Sequence, residues 1–320
     1  MKISIIIPAY NSAKTVGHVI EACRQLIYPD KEIIVVDDGS TDSTVGIASR
    51  YGTQVTIIRQ PHMGMSSARN AGWRAATGEI CFFTDSDCMP RSDVLALLAP
   101  HFKKQNIGAV GGTYDIANPQ KPLARLIHEE IFFRHRFMPS YVDFLGSFNC
   151  AYRKAALEQA GGFSEGHEMS AGDVNDLPAR LLASGWKFTF EVRAAVAHHH
   201  ETSLYRYLQK QFSYAVWRVR LLKDKNTVRM TGGGIGGMID LAHPMLGLLL
   251  VVALPLLVFH AGRVLYASMF GLYLFLQVPV PVLIMFNRGN PLLLSLIPLT
   301  FVRGIVRGLG VAAGYLRYRP

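Results

Sequence analysis

Asp85 and Asp87, in the run Ile80-Cys81-Phe82-Phe83-Thr84-Asp85-Ser86-Asp87, are the residues with the clearest chemistry in this chain. A short apolar run rich in Phe predicts a buried strand, and two carboxylates one residue apart at its end can share one hard cation. A second run of the same kind, Glu32-Ile33-Ile34-Val35-Val36, ends in Asp37-Asp38-Gly39-Ser40. Two buried strands that both finish in acids predict one site at the carboxyl edge of a parallel sheet, where open α/β sheets place their ligands. A diphosphate held through a metal ion is the occupant such an edge suits.

Other polar residues cluster around these ends. Arg69 and Asn70 stand near the start of a predicted helix, after a loop containing Gly64, in a place suited to anionic groups; a salt bridge from Arg69 to Asp38 or Asp85 is the alternative role. His62 is a lone loop histidine that could contact substrate, although such a residue is more often solvated. His198-His199-His200 follows a predicted strand, and only His198 and His200 can share one side of an extended segment.

Positioning these groups requires alternating strands and helices. Residues 4–7, 32–36, 54–59 and 80–84 read as strands, and 13–26 and 65–76 as helices, an order that predicts a doubly wound, mostly parallel sheet. Beyond Asp87 the pattern loosens. Helices are expected over 93–104, 122–136, from Lys154, and over 176–184, with strands over 109–114, 146–152 and 187–191. The first eight residues hold too short an apolar stretch for a signal peptide and read as the first strand.

The 320 residues are half hydrophobic, with a mean hydropathy of +0.20, and the excess lies from Met238 onward. Residues 239–259 and 264–286 are each long enough to cross a hydrocarbon layer of ~30 Å. Joined by the turn His260-Ala261-Gly262-Arg263, they predict a transmembrane hairpin. Residues 291–316 carry Arg303 and Arg307, so an interfacial or re-entrant helix is expected there.

The net charge of +10 is concentrated near residues 206–229, where Arg and Lys mix with Tyr205, Tyr207, Phe212, Tyr214 and Trp217. Beside an apolar segment this suits lipid headgroups and argues against nucleic acid. The domain division expected is 1–202, then an interfacial helix over 203–230, a membrane pair over 239–286 and a final helix over 291–316. The positive-inside rule places the N-terminal domain in the cytoplasm, on a multi-pass protein of the inner cell membrane. Cys23, Cys81, Cys88 and Cys150 show no metal-binding spacing and are expected to be reduced and buried.

Four ordered motifs carry a resemblance: Pro8-Ala9-Tyr10-Asn11, Val36-Asp37-Asp38-Gly39-Ser40, Gly64-Met65-Ser66-Ser67-Ala68-Arg69-Asn70-Ala71-Gly72, and Thr84-Asp85-Ser86-Asp87. Over residues 2–223 the chain resembles the family 2 glycosyltransferases. The resemblance implies a GT-A fold and transfer of a sugar from a nucleotide-diphosphate donor with inversion, assisted by Mg²⁺ or Mn²⁺. Pro8, Ala9, Tyr10, Asn11, Asp38, Gly64, Arg69, Asn70 and Asp85 are then expected at the donor. Asp85, Asp87 and His198 are expected at the metal, with Asp87 as the direct ligand. Ser147, Phe148 and Asn149 are expected on the acceptor side.

The general base is where the chain departs from the family. Relatives carry Gly-Glu-Asp, whereas this chain reads Gly172-Asp173-Val174, and valine accepts no proton. Asp173, Glu168 and Asp176 are the candidates, with Asp176 also suited to capping a helix. The Gln-x-x-Arg-Trp run of processive relatives is not present, which favours single addition. The expected partners are a UDP-sugar and a lipid-linked or glycan acceptor of the cell envelope, at the membrane face. A nucleotidyl or phosphosugar transferase, or a sugar-nucleotide-binding scaffold without catalysis, could use the same acids.

Overall fold

The computed structural model describes residues 1–165, 176–223 and 235–318. The chain divides into two compact units. Met1–Asn118 and His135–His199 lie in the first, and Pro119–Arg134 with the described residues of His200–Asn226 and Gly232–Pro320 in the second.

The first unit opens with β1 (Ile3–Ala9), α1 (Val16–Arg24), β2 (Lys31–Asp37), α2 (Thr44–Ser49), β3 (Thr56–Arg59), α3 (Met65–Ala75) and β4 (Ile80–Thr84). Strands β3, β2, β1 and β4 pair in that order and all run parallel. Their apolar runs are continuous because both faces are covered. Ile5, Ile7, Val35 and Phe82 pack against Val16, Val19 and Ile20 of α1. Ile6, Val36 and Phe83 face the other way, toward Ala68 and Trp73 of α3. Helix α3 comes close enough that a Cβ on Gly72 would stand 2.4 Å from Ile6 Cγ2.

The remaining strands make the sheet mixed and curled, where the sequence predicted a mostly parallel one. They are β5 (Cys88–Pro90), β6 (Ile107–Ile116), β7 (Tyr141–Val142), β8 (Asn149–Arg153) and β9 (Lys187–His198). The order continues β4-β8-β6-β9-β5, with β7 also on β9. Strand β8 is antiparallel to both neighbours, and β9 is parallel to β6 but antiparallel to β5 and β7. Strand periodicity gives the faces of a strand, not its direction, so this reversal lay outside the sequence pattern. Three further helices complete the unit: α4 (Val94–Leu98), which passes at Pro100 into a 3₁₀ turn, α6 (Lys154–Ala160) and α7 (Asp176–Ala183).

The second unit is helical. Most of α5 (Pro122–Arg136) belongs to it, followed by α8 (Leu204–Lys223), α9 (Ile235–Val252), α10 (His260–Gln277), α11 (Pro279–Arg288) and α12 (Leu296–Arg317). Among the described residues, His260–Arg288 and Pro291–Arg317 are long and apolar enough to cross a membrane by length and composition. The boundaries differ from the expected hairpin. A 3₁₀ turn containing Pro255 separates α9 from α10, so residues 260–263 form the first turn of α10 and not a loop. Pro279 and Pro281 then start α11, where a straight continuation would lose backbone hydrogen bonds.

Arg303 also has a partner that could not be seen in its own segment. Its two terminal nitrogens donate to both carboxylate oxygens of Glu130 on α5, at 2.6 and 2.7 Å, and one also meets Tyr207 Oη on α8. One turn on, Arg307 Nε donates to Gln211 Oε1 on α8 at 2.8 Å. Further along α12 the two backbones approach so closely that a Cβ on Gly310 would lie 2.6 Å from Phe212 O.

Candidate active site

The carboxyl ends of β1, β2 and β4 lie side by side because the register pairs Ile7 with Val35 and Ile3 with Ile80. The loops leaving them are sewn together. Asn11, at φ +48° the one non-glycine residue with positive φ among the described residues, accepts from Thr41 N through Oδ1. Its own N–H donates to Ser40 Oγ. Ser12 and Ser86 share a hydroxyl hydrogen bond of 2.7 Å, which fixes the β1 loop against the Asp85-Ser86-Asp87 turn.

Asp38 is 3% exposed at the end of β2. Its Oδ1 accepts from Gln60 Nε2 at 2.6 Å and Met63 N at 2.9 Å, and its Oδ2 accepts from Gly64 N at 2.9 Å. His62 Nδ1 stands 2.8 Å from the same Oδ2. The His62 ring stacks on Tyr10 with centroids 4.0 Å apart and planes 19° apart. His62 therefore keeps a side chain that is 55% exposed while packing on Tyr10.

Arg69 is 1% exposed, and its Nη2 donates to Asp85 Oδ1 at 2.9 Å, the salt bridge weighed for it from sequence. Among the described residues its Nε and Nη1 have no hydrogen-bond partner. Asn70 turns away from the strand ends: its amide donates to Phe163 O and Glu165 Oε1 and accepts from Trp73 Nε1 and Phe163 N. All of its usual capacity is used inside the protein, so it anchors the 163–165 segment.

His198 reaches the acids through strand pairing. Antiparallel β5 and β9 set Cys88 opposite His198, which brings His198 Nε2 to 3.7 Å from Asp87 Oδ2. With Cys88, these side chains offer three ligand atoms within 4.8 Å of one another. Carboxylate oxygen and imidazole nitrogen suit a divalent cation such as Mg²⁺ or Mn²⁺, whereas a sulfur ligand favours softer ions. Burial, and then the charges of Asp85 and Asp87, push the Cys88 thiol well above its ordinary range, and Cys88 Sγ donates to Asp87 Oδ1 at 3.5 Å. All four cysteines are free and buried. The donor set thus fits a hard or borderline cation on Asp87 and His198. His200, the other histidine weighed for that side, belongs to the second unit, where its ring lies 5.5 Å from His128.

The residues expected on the acceptor side separate. Phe148 stacks on Tyr114 of β6 with centroids 3.5 Å apart, and Tyr114 lies 5.1 Å from the His198 ring. Ser147 is buried. Asn149 is fully buried and its amide spans Thr113 O and Ala194 O, so it braces three strands instead of facing a ligand. Glu168, Asp173 and Val174 lie outside the described residues. Asp176 begins α7 and accepts from Ser164 Oγ and from Arg180 Nε, the latter at 3.1 Å.

Comparison with known proteins gives a consistent result. Residues 4–161 match the family model described as glycosyl transferase family 2. The pre-mycofactocin glycosyltransferase of Mycobacterium tuberculosis is 30% identical over 225 residues, 66% of this chain but 46% of that protein's length. The chain thus spans about half the length of that relative. The O-antigen chain rhamnosyltransferase RfbN of Salmonella typhimurium is 29% identical over 250 residues, covering 74% of this chain and 77% of the relative. Among solved structures, the mannosyltransferase PcManGT from Pyrobaculum calidifontis, in complex with GDP-Man and Mn²⁺, has a TM-score of 0.61 at 17% identity. The match covers 96% of this chain and 87% of that one. TarS of S. aureus in complex with UDP-GlcNAc has a TM-score of 0.51 at 19% identity, covering 100% and 93%. At these identities the two structures speak to the GT-A fold.

Proposed function

Since the chain belongs to glycosyl transferase family 2, we propose that it moves a sugar from a nucleoside-diphosphate donor to a hydroxyl acceptor in one displacement, with inversion at the anomeric carbon. The observation that carries this reading is the meeting of Asp87 and His198, 3.7 Å apart, beside the strand ends that present Tyr10, Asp38 and Asp85. A divalent cation on Asp87 and His198 would offset the negative charge left on the departing diphosphate.

The chain's own groups supply the rest. Tyr10, 45% exposed, offers a ring face to the nucleobase. The buried Arg69 guanidinium holds Asp85 at the turn between the base end and the metal end of the site. Phe148 and Tyr114 give an apolar ring surface beside His198 against which a sugar can lie. For the acceptor's proton we propose Asp173, with Glu168 as the other candidate. Asp176 is already committed to Ser164 and Arg180.

The acceptor proposed is a lipid-linked saccharide or glycan at the cytoplasmic face of the inner membrane. Support comes from the two helices long and apolar enough to cross a bilayer and from the likeness to an O-antigen rhamnosyltransferase. UDP-sugars are the donors to try first.

Product identity tests the reaction class. Incubation of the full chain with a panel of nucleotide-sugars, Mn²⁺ and a lipid-linked acceptor is expected to release the nucleoside diphosphate. Release of nucleoside monophosphate would instead assign a phosphosugar transferase. Donor binding with no product at all would leave a non-catalytic sugar-nucleotide binder.

A further inference from the structure

We propose that the outward face of α8 binds anionic lipid headgroups, and that α8 and the second half of α12 lie along the surface of the bilayer and not across it. The inference rests on the membrane reading given above.

Arg206, Lys210, Tyr214 and Arg218 recur at every fourth position of α8, so they form one ridge along it, and all four are exposed. Lys210 Nζ stands 3.4 Å from Glu201 Oε2, whereas Arg206 and Arg218 have no carboxylate partner among the described residues. Tyr205 and Phe212, seven residues apart, are exposed on a neighbouring row. Cationic tips beside aromatic rings match a headgroup layer, where phosphates meet the charges and the boundary with hydrocarbon takes the rings.

The inner face of α8 sets the depth. Tyr207 meets Arg303, Gln211 meets Arg307, Phe212 lies at Gly310 and Val216 at Gly314, so the two helices run side by side in the same direction. A Cβ on Gly314 would stand 2.9 Å from Val216 O, which puts the pair at the close end of helix packing, about 8 Å between axes. On α12, Val302, Leu309 and Leu316 follow at intervals of seven residues, an outward apolar stripe that is exposed throughout. Arg303 and Arg307 are turned inward, onto Glu130, Tyr207 and Gln211.

Such a stripe suits hydrocarbon, and packing holds the basic ridge about one helix width from the helix that bears it. The ridge is about 18 Å long at 1.5 Å per residue, whereas one headgroup layer is roughly 5–8 Å thick. Only a helix lying along the surface keeps all four residues in that layer. A nucleic acid could meet the charges but would leave the stripe on α12 uncovered.

Two measurements on the full chain test this. Flotation with phosphatidylcholine vesicles, after detergent removal, reads membrane association by itself. Native mass spectrometry of the detergent-solubilised chain, given equal amounts of phosphatidylglycerol and phosphatidylcholine, reads headgroup preference. The expected result is flotation together with an excess of retained phosphatidylglycerol. Arg206→Gln with Arg218→Gln should still float and should reduce that excess by about fivefold or more. Lys103→Gln with Lys104→Gln removes the same charge from exposed positions of the first unit and should leave the excess intact. Equal retention of the two lipids overturns the inference, as does an excess that survives loss of both arginines or falls equally in the lysine variant. An oligonucleotide held through the two arginines, with no lipid preference, would assign the ridge to nucleic acid. If the unsubstituted chain does not float at all, the membrane reading itself fails.

Discussion

Asp87, in the turn just before β5, and His198, at the end of β9, are brought together by the β5–β9 pairing, and each offers one donor atom. Removing the carboxylate takes away the better ligand for a hard cation and leaves one imidazole. Asp87→Ala is therefore expected to reduce transfer by about a hundredfold or more, the rate equivalent of several kcal/mol of charge stabilisation. Steady-state assays across a Mn²⁺ titration check this, with circular dichroism to show that the fold persists. Wild-type rates in the variant, independent of metal, would remove Asp87 from the site. Asp85, close in sequence, has its Oδ1 bonded to Arg69, so the turn is oriented by a buried cation.

At the scale of elements, the close fit of α3 on β1 brings the Gly64–Gly72 motif to the strand ends. A methyl group at Gly72 would collide with Ile6 Cγ2, and both residues are in the packed interior. Gly72→Ala is expected to cost about 1–3 kcal/mol, read as an earlier midpoint in urea unfolding of the full chain. An opposite effect is expected in α10. Gln277 is 2% exposed, and its amide oxygen and nitrogen have no partner among the described residues. Gln277→Leu removes that buried polar group at similar size and should raise the thermal midpoint in detergent, by about 1–2 kcal/mol in stability. A lower midpoint would mean that the amide is satisfied in solution.

For the molecule as a whole, the helical unit depends on a charge held out of water. Burial pushes the Glu130 carboxyl up, but Arg303 first and Arg134 next outweigh it and hold Glu130 well below the usual carboxylate range. A carboxyl lowered by folding stabilises the native state fully above its unfolded value, near 4.3, and loses that contribution as pH falls toward the folded value. The thermal midpoint of the full chain in detergent is thus expected to be level from pH 7 to about 5 and to fall below about 4. Glu130→Gln should be destabilised at pH 7 by about 3–5 kcal/mol, because Arg303 keeps its charge without its carboxylate. That variant should also show a weaker acid dependence between pH 5 and 3. An unchanged acid profile would show that other carboxylates govern it.

Local pattern was enough for much of the first unit. The apolar runs of β1, β2 and β4, the helix over 65–76 and the acids at the strand ends all follow from residues close together in sequence, where burial and hydrogen bonding leave a short-range periodicity. The four motifs within residues 2–223 were sufficient to name the family. Other features depended on tertiary pairing. The antiparallel insertion of β8, the arrival of His198 at Asp87, the hydrogen bonds from Gln60, Met63 and Gly64 to Asp38 and the union of Glu130 with Arg303 across 173 residues all join distant segments. Arg303 shows the reason most clearly: sequence registers the cost of a charge in an apolar helix, but only the packed chain supplies the carboxylate that offsets it.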